Sequence, residues 1–205
     1  MAEPLRTIRA NVGGALNLVG LLKQGGQIAY TSTSEVYGDP LVSPQPESYR
    51  GYVDCTGPRS SYDESKRCVE SLLFEARRVH GVRVKVVRLF NVFGPRTRVD
   101  DGRAVSNFIT QGLRGLPITV YGDGTHTRSW TYIDDALDAL ERFFWRDRSE
   151  FAGPVNRSTK DVHYGCFKGV LCEQVLSCKC RPQHNSQRKE VCAVINCFPL
   201  KLLWG

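Results

Sequence analysis

Apolar residues recur at three- and four-residue steps between Leu5 and Lys23: Leu5, Ile8, Val12, Leu16, Val19 and Leu22. That spacing predicts one helix with a buried stripe. Gly13-Gly14 interrupts it, and glycines inside a helix often mark close packing, so a close neighbour is expected there. Gly25-Gly26 supplies a stop. Gln27 to Ser32 is a short apolar run and predicts a buried strand, with Thr33 to Gly38 as the loop leaving its C-terminal end. Residues 39–59 are rich in Pro, Gly and Ser without a period, which predicts a long loop, a kind often functional in compact domains. Val69, Leu72, Leu73 and Ala76 give a helix over Ser60 to His80 its apolar face, and Gly81 ends it. Val82 to Leu89 predicts a second strand and Phe90 to Pro95 its loop. Further on come a helix over Val105 to Leu113, a short strand over Ile118 to Tyr121, a turn at Gly122-Asp-Gly124, an extended Trp130 to Tyr132, and a helix over Ile133 to Trp145.

Strands alternating with helices predict an α/β fold built on a parallel sheet. In such sheets ligands bind beyond the C-terminal ends of the strands, which draws attention to Thr33–Gly38 and to the loop after Leu89. No run of about 18 apolar residues occurs in the sequence, and Met1–Arg6 lacks the apolar core of a signal peptide, so a cytosolic location is the default expectation.

Composition divides the chain. Its net charge of +7 raises the question of nucleic acid. Residues 151–205, however, hold 8 of the 28 Lys and Arg and 3 of the 21 Asp and Glu, or +5, leaving 20 basic and 18 acidic residues, +2, in the first 150. A basic tail on a near-neutral body is not a nucleic-acid-binding face. Six of the eight cysteines (Cys166, Cys172, Cys178, Cys180, Cys192 and Cys197) lie in the same tail, without the paired Cys-x2–4-Cys knuckles of a zinc site, so no metal is expected. The expected division is 1–156 and a basic, Cys-rich 157–205.

Candidate chemistry centres on Tyr62-Asp-Glu-Ser-Lys66. Residues four apart on a helix share a face about one turn apart. An ammonium beside a phenol stabilises the phenolate, giving a general base suited to a sugar hydroxyl. The spacing alone fits many surface helices equally well. Three other patterns accompany it: Thr31-Ser-Thr-Ser-Glu-Val-Tyr-Gly38, Arg88-Leu-Phe-Asn-Val-Phe-Gly-Pro95, and Tyr121-Gly-Asp-Gly-Thr-His-Thr-Arg128 followed by Trp130-Thr-Tyr-Ile-Asp-Asp135.

In this order and spacing the four patterns resemble extended short-chain dehydrogenase/reductases of the NAD-dependent epimerase/dehydratase type, and most of all the UDP-glucuronate decarboxylases. Gly57-Pro-Arg59 and Asp101-Gly-Arg103 with Val105-Ser-Asn-Phe108 add to the likeness, which runs from about Pro4 to Asn156. The resemblance implies a partial Rossmann-like sheet with flanking helices and part of a small substrate domain. It implies NAD-mediated oxidation at C4 of UDP-glucuronate, loss of carbon dioxide, and re-reduction to UDP-xylose. By the same resemblance Tyr62 would be the base, Lys66 would assist it and hold the nicotinamide ribose, and Thr33 would bond the same hydroxyl. Glu35 and Arg128 would serve decarboxylation, with Arg128 stabilising the developing enolate. Asn91 and Asn107 are candidate sugar or diphosphate contacts, Val92 and Arg103 stand near the cofactor, and Tyr121 near the nucleotide. Each of these residues also has a purely structural reading as a cap, turn, ion pair or core residue. Related dehydratases show Thr-Asp-Glu where this chain has Thr33-Ser34-Glu35, which ranks a dTDP-glucose 4,6-dehydratase-like activity second and a 4-epimerase-like one third.

The sequence departs from the family pattern in two places. It shows no Gly-x-x-Gly-x-x-Gly turn after a strand, the element that holds the NAD diphosphate. The expectation is therefore a sheet lacking its first strands, an exposed flank on strand 27–32, and a catalytic pair idle in this chain. Family likeness also stops at Arg157, as a different exon or reading frame would make it. Two further expectations follow from the resemblance. The helices at 4–24 and 60–80 would form a homodimer or pair with a full-length relative, even where the chain itself is inactive. Intact members can be anchored in the Golgi membrane through a region not seen in this sequence.

Overall fold

The structure is a computed structural model that describes residues 3–22, 26–146, 153–157 and 161–163. The chain divides into two compact units, residues 1–90 with 136–157, and residues 91–135 with 158–205.

In the first unit the N-terminal stretch is helical from α1 (Pro4–Ile8) through a wider π-helical turn at Arg9–Gly13 into α2 (Gly14–Leu21). Pro4 opens the helix, where its missing N–H costs nothing. β1 (Gln27–Thr33) and β2 (Arg83–Leu89) pair in parallel, with Ile28 opposite Val84 and Tyr30 opposite Val86. α3 (Ser60–His80) makes the crossover. It ends where Gly81 takes a left-handed φ of 66° and donates its N–H to the Arg77 carbonyl at 3.0 Å. β5 (Pro154–Arg157) adds in parallel to the other edge of β2.

Alternation along the strands divides the faces. Ile28, Val84 and Val86 meet Ala15 and Val19 of α2 and Val69, Leu73 and Ala76 of α3 in one buried cluster. On the opposite face Lys85, only 5% exposed, reaches Phe143: its Nζ donates to the Phe143 carbonyl at 2.8 Å, and its ammonium lies 5.5 Å from the ring centre. Among the described residues β1 pairs on one side only, and Gln27, Ala29 and Thr31 are exposed.

The second unit holds β3 (Asn91–Phe93) parallel to β4 (Thr127–Tyr132), with β6 (Asp161–His163) antiparallel to β4. α4 (Ala104–Leu113) buries Val105 and Phe108 against Ile118 and Trp130. α5 (Ile133–Glu141) starts in this unit, and from Ala136 onward, with the π-helical turn at Arg142–Arg146, belongs to the first.

Several expectations need correction. The segment over Ile118–Tyr121 forms no strand. The Gln111 side chain takes the Thr119 N–H at 2.9 Å and donates to its hydroxyl at 3.2 Å, so this backbone donor is satisfied without a ladder. Part of the expected loop after Leu89 is strand β3 instead, since Asn91-Val-Phe93 has a partner in β4. Gly13 and Gly14 are not packed closely, because a Cβ at either would meet nothing within 4 Å. The expected buried stripe of the first helix holds only in part: Ala15 and Val19 are buried, while Leu5, Ile8 and Leu16 are 79%, 41% and 52% exposed. Lys23 and the tail cysteines from Cys166 onward lie outside the described residues.

Candidate active site

In the first unit the site forms where β1 ends and α3 begins. Thr33 is 9% exposed and caps a 3-10 turn at Ser34–Tyr37, its hydroxyl accepting from the Glu35 N–H at 3.2 Å. The turn must then reverse sharply. Gly38 does this at φ 66°, and a Cβ there would run into the Tyr52 backbone. Glu35, two residues beyond Thr33, projects its carboxylate to Arg59, with Nη2 to Oε2 at 2.5 Å.

Tyr62 and Lys66 lie one turn apart on α3, the ammonium 6.0 Å from the centre of the Tyr62 ring. Lys66 is fastened to β1: Nζ donates to the Thr31 carbonyl at 3.1 Å and sits 4.8 Å from the centre of the Tyr30 ring. Burial draws the Lys66 ammonium below its ordinary value, and the Glu70 charge opposes this. Tyr30 is pushed well above the usual phenol range, by burial first, then by Glu70 and Tyr62. It therefore stays a neutral ring against which the cation rests. Tyr62 is held from behind, since Ser65 donates to its carbonyl at 2.9 Å and Asn11 donates to Ser65 at 2.8 Å.

Under this corner lies a buried ion pair. Arg88, near the end of β2, donates to Glu70 of α3 through Nε at 3.0 Å and Nη2 at 2.6 Å. Ser32 of β1 donates to the same carboxylate at 2.5 Å, and Arg88 also reaches the Tyr37 hydroxyl at 2.7 Å. Tyr37 in turn donates to Asn156 of β5 at 2.8 Å. One network thus ties the C-terminal ends of three strands to α3. An open cavity of about 450 Å³ borders it, lined by Arg67, Glu70, Phe74 and Arg88 among others.

The second unit carries the remaining predicted residues. Asn107 and Tyr121 line one cavity of about 330 Å³ with Phe108, Val120, Gly122 and His126. Arg103 flanks it, precedes α4, and pairs with Asp101 at 3.2 Å. Asn91 spends its side-chain amide on the Ser129 carbonyl at 3.1 Å, and Val92 stands opposite Thr131 in the ladder. Arg128 lies on β4, with Nη1 on the neighbouring Thr127 carbonyl at 2.8 Å.

Family membership is shown by sequence. The NAD dependent epimerase/dehydratase family matches residues 1–153. The chain belongs to that family. It is 53% identical over 155 residues to UDP-glucuronic acid decarboxylase 5 of Arabidopsis thaliana, covering 75% of this chain and 45% of that protein. It thus spans less than half the length of this relative. Among solved structures it is similar to a UDP-N-acetylglucosamine 4-epimerase of Methanobrevibacter ruminantium, with a TM-score of 0.72 at 26% identity over 84% of this chain and 55% of that one. It is also similar to a UDP-glucuronic acid 4-epimerase of Bacillus cereus held with UDP-glucuronic acid and NAD. There the TM-score is 0.61 at 28% identity, over 77% of this chain and 48% of that one.

The family is NAD dependent, and the residues present fit one end of that cofactor. Lys66, with its cation held at the strand end and the half-buried Tyr62 beside it, suits a nicotinamide ribose. Among the described residues no glycine-rich strand-to-helix turn is available for the diphosphate. Neither is there a group of three or more His, Cys, Asp or Glu able to hold a metal, nor a helix long and apolar enough to cross a membrane.

Sequence reasoning passed over several residues that the geometry brings forward, Glu70 and Asp63 of α3 among them. Arg59 had a visible signal, a cation four residues before Asp63 at the helix start. His126 stood within a quoted pattern. Tyr30 had none, because only the fold brings a strand residue under Lys66.

Proposed function

We propose that this chain carries the catalytic face of a UDP-glucuronate decarboxylase. The observation that supports it most is the Tyr62–Lys66 pair on α3, with its cation fastened to the Thr31 carbonyl of β1, the strand that ends at Thr33. Hydride acceptance and return at C4 of the sugar is the chemistry that NAD supplies when bound. Tyr62 takes the proton from the C4 hydroxyl, and the Lys66 ammonium stabilises the phenolate that results. Thr33 holds that hydroxyl in line. Oxidation leaves a β-keto acid, which loses carbon dioxide. Arg128 stabilises the enolate and Glu35 assists the proton traffic at that step. By the family resemblance Asn91 and Asn107 are candidate contacts to the sugar or diphosphate, Tyr121 to the nucleotide, and Arg103 and Val92 to the cofactor.

The test is incubation of the chain with UDP-glucuronate and NAD, followed by mass spectrometry. The decarboxylase reading predicts UDP-xylose and carbon dioxide, whereas an idle pair lacking the diphosphate turn predicts no product. UDP-galacturonate in their place would reassign the chain as an epimerase, and a 4-keto-6-deoxy sugar would make it a dehydratase. No product, with calorimetry showing no NAD binding, would overturn an independent activity.

Association with a second chain is supported separately. Leu5, Ile8 and Leu16 recur along α1 and α2 and remain exposed. They would bury that stripe against a second copy or a full-length relative through helices 4–24 and 60–80. Light scattering on the purified chain, and co-purification with a tagged full-length relative, decide this. A strictly monomeric chain that captures no relative would refute it.

A further inference from the structure

Glu35 is engaged. Its Oε2 sits 2.5 Å from Arg59 Nη2, so that oxygen takes no proton or hydrogen bond from a substrate group until the guanidinium lets go. The same Nη2 lies 3.9 Å from Oδ1 of Asp63, one turn further along α3. The Asp63 side chain is only 10% exposed, and its Oδ1 has no hydrogen-bond partner. A buried carboxylate oxygen without a donor is costly, and here a charged donor stands just beyond reach. The two cations that follow on the helix do not serve it: Lys66 donates to the Thr31 carbonyl at 3.1 Å. Arg67 is committed to the Val36 carbonyl at 2.7 Å, the Arg50 carbonyl at 3.0 Å and Glu64 at 3.6 Å.

We propose that Asp63 is the alternate acceptor for Arg59: it takes the guanidinium when Glu35 turns to substrate and gives it back afterwards. Asp63 is then a positioning residue, acting on Glu35 through Arg59. The exchange is poised by exposure. Arg59 and Glu35 are 63% and 37% exposed, and an ion pair that open to water contributes little, so breaking it costs little. The buried acceptor gains the donor it lacks. Asp63 is held above the ordinary carboxylate value by burial first and by the Glu35 charge second, with Arg59 opposing; Glu64 raises it further. Glu35 and Asp63 thus compete for one cation. What Glu35 does once released rests on the decarboxylase reading, whereas the exchange does not.

The experiment is a carboxyl carbon-13 NMR titration of Asp63 in the full chain and in three variants: Arg59→Met, Glu35→Gln, and both together. Both altered side chains are exposed, so the fold should persist. If Arg59 transfers to Asp63 once Glu35 loses its charge, Arg59→Met raises the Asp63 midpoint more in the Glu35→Gln background than in the unaltered chain. The expected excess is at least about half a pH unit, roughly threefold in the protonation equilibrium. Equal effects in the two backgrounds would overturn the exchange, because a fixed, merely structural Arg59 gives no such coupling. In a chain that turns over UDP-glucuronate, Asp63→Asn is expected to lower kcat about three- to tenfold with KM unchanged. A fall confined to KM would also count against the proposal. Absence of turnover in the unaltered chain bears on the decarboxylase reading alone, and the titration still decides the exchange.

Discussion

Removing the Glu70 carboxylate is the sharpest test of how the catalytic corner is held. Glu70 and Arg88 are 9% and 12% exposed, so the pair is nearly dry. Three hydrogen bonds end on the carboxylate, from Arg88 Nε at 3.0 Å, Arg88 Nη2 at 2.6 Å and Ser32 Oγ at 2.5 Å. Burial alone would lower the Arg88 guanidinium, yet it is raised on balance because Glu70, and then Tyr37, hold the charged form. Glu70→Ala leaves that cation buried with only the Tyr37 hydroxyl and the Glu47 carbonyl. Breaking one side of such a pair costs about 3–5 kcal/mol. The open cavity of about 450 Å³ beside both groups admits water to the stranded guanidinium, which favours the lower end, near 3 kcal/mol. Against a usual total of about 5–15 kcal/mol this is a large loss. Equilibrium urea unfolding followed by circular dichroism measures it. The double variant Glu70→Leu with Arg88→Met, made in a Ser32→Ala background so that no buried hydroxyl loses its acceptor, is the control, since replacing both ions by apolar groups should cost no more than about 1 kcal/mol. A loss below about 1 kcal/mol for Glu70→Ala, or a double variant as unstable as the single one, would refute the reasoning.

Gly38→Ala should fail for a backbone reason: the residue sits at φ 66° and its new methyl would strike the Tyr52 carbonyl, so a loss of more than about 2 kcal/mol is expected by the same urea assay. Solution pH should act through Asp63, whose carboxyl is raised above its ordinary 3.8 by burial and Glu35. The folded form keeps that proton to higher pH than the unfolded chain, so this contribution is fully present below 3.8 and lost as pH rises through the raised folded value. Asp63→Asn should remove that part of the decline in a stability-versus-pH series; an unchanged slope would show that Asp63 is not its source.

Local pattern fixed much of the catalytic unit. Ser60–His80 was legible to the residue, because its apolar spacing and the Gly81 stop are both local signals that tertiary packing reinforces. Strands at 27–33 and 83–89 followed from short apolar runs, and Tyr62 with Lys66 from spacing on a helix already delimited. Other features depended on partners that no local window contains. β3 exists because β4 pairs with it, and Ile118–Tyr121 stays irregular because a glutamine eight residues away takes its donor. Gly13-Gly14 resembled a packing notch, but the fold brings nothing against it.

The same division runs through the site. Sequence alone determined which chemical groups are present: a phenol and an ammonium one helical turn apart, a threonine and a carboxylate just past a strand, and a family pattern that joins them. Tertiary structure decided what each group is paired with. Lys66 rests on Tyr30 and the Thr31 carbonyl, Glu35 is held by Arg59, and Asp63 is buried with one oxygen lacking a donor. The reason is one of range. Helix spacing and turn chemistry act within a few residues and are written in order along the chain. Ion pairs and buried hydrogen bonds act between residues 18 to 38 positions apart here (Glu70 with Arg88, Glu35 with Arg59, Ser32 with Glu70), and only the folded backbone brings those within about 3 Å.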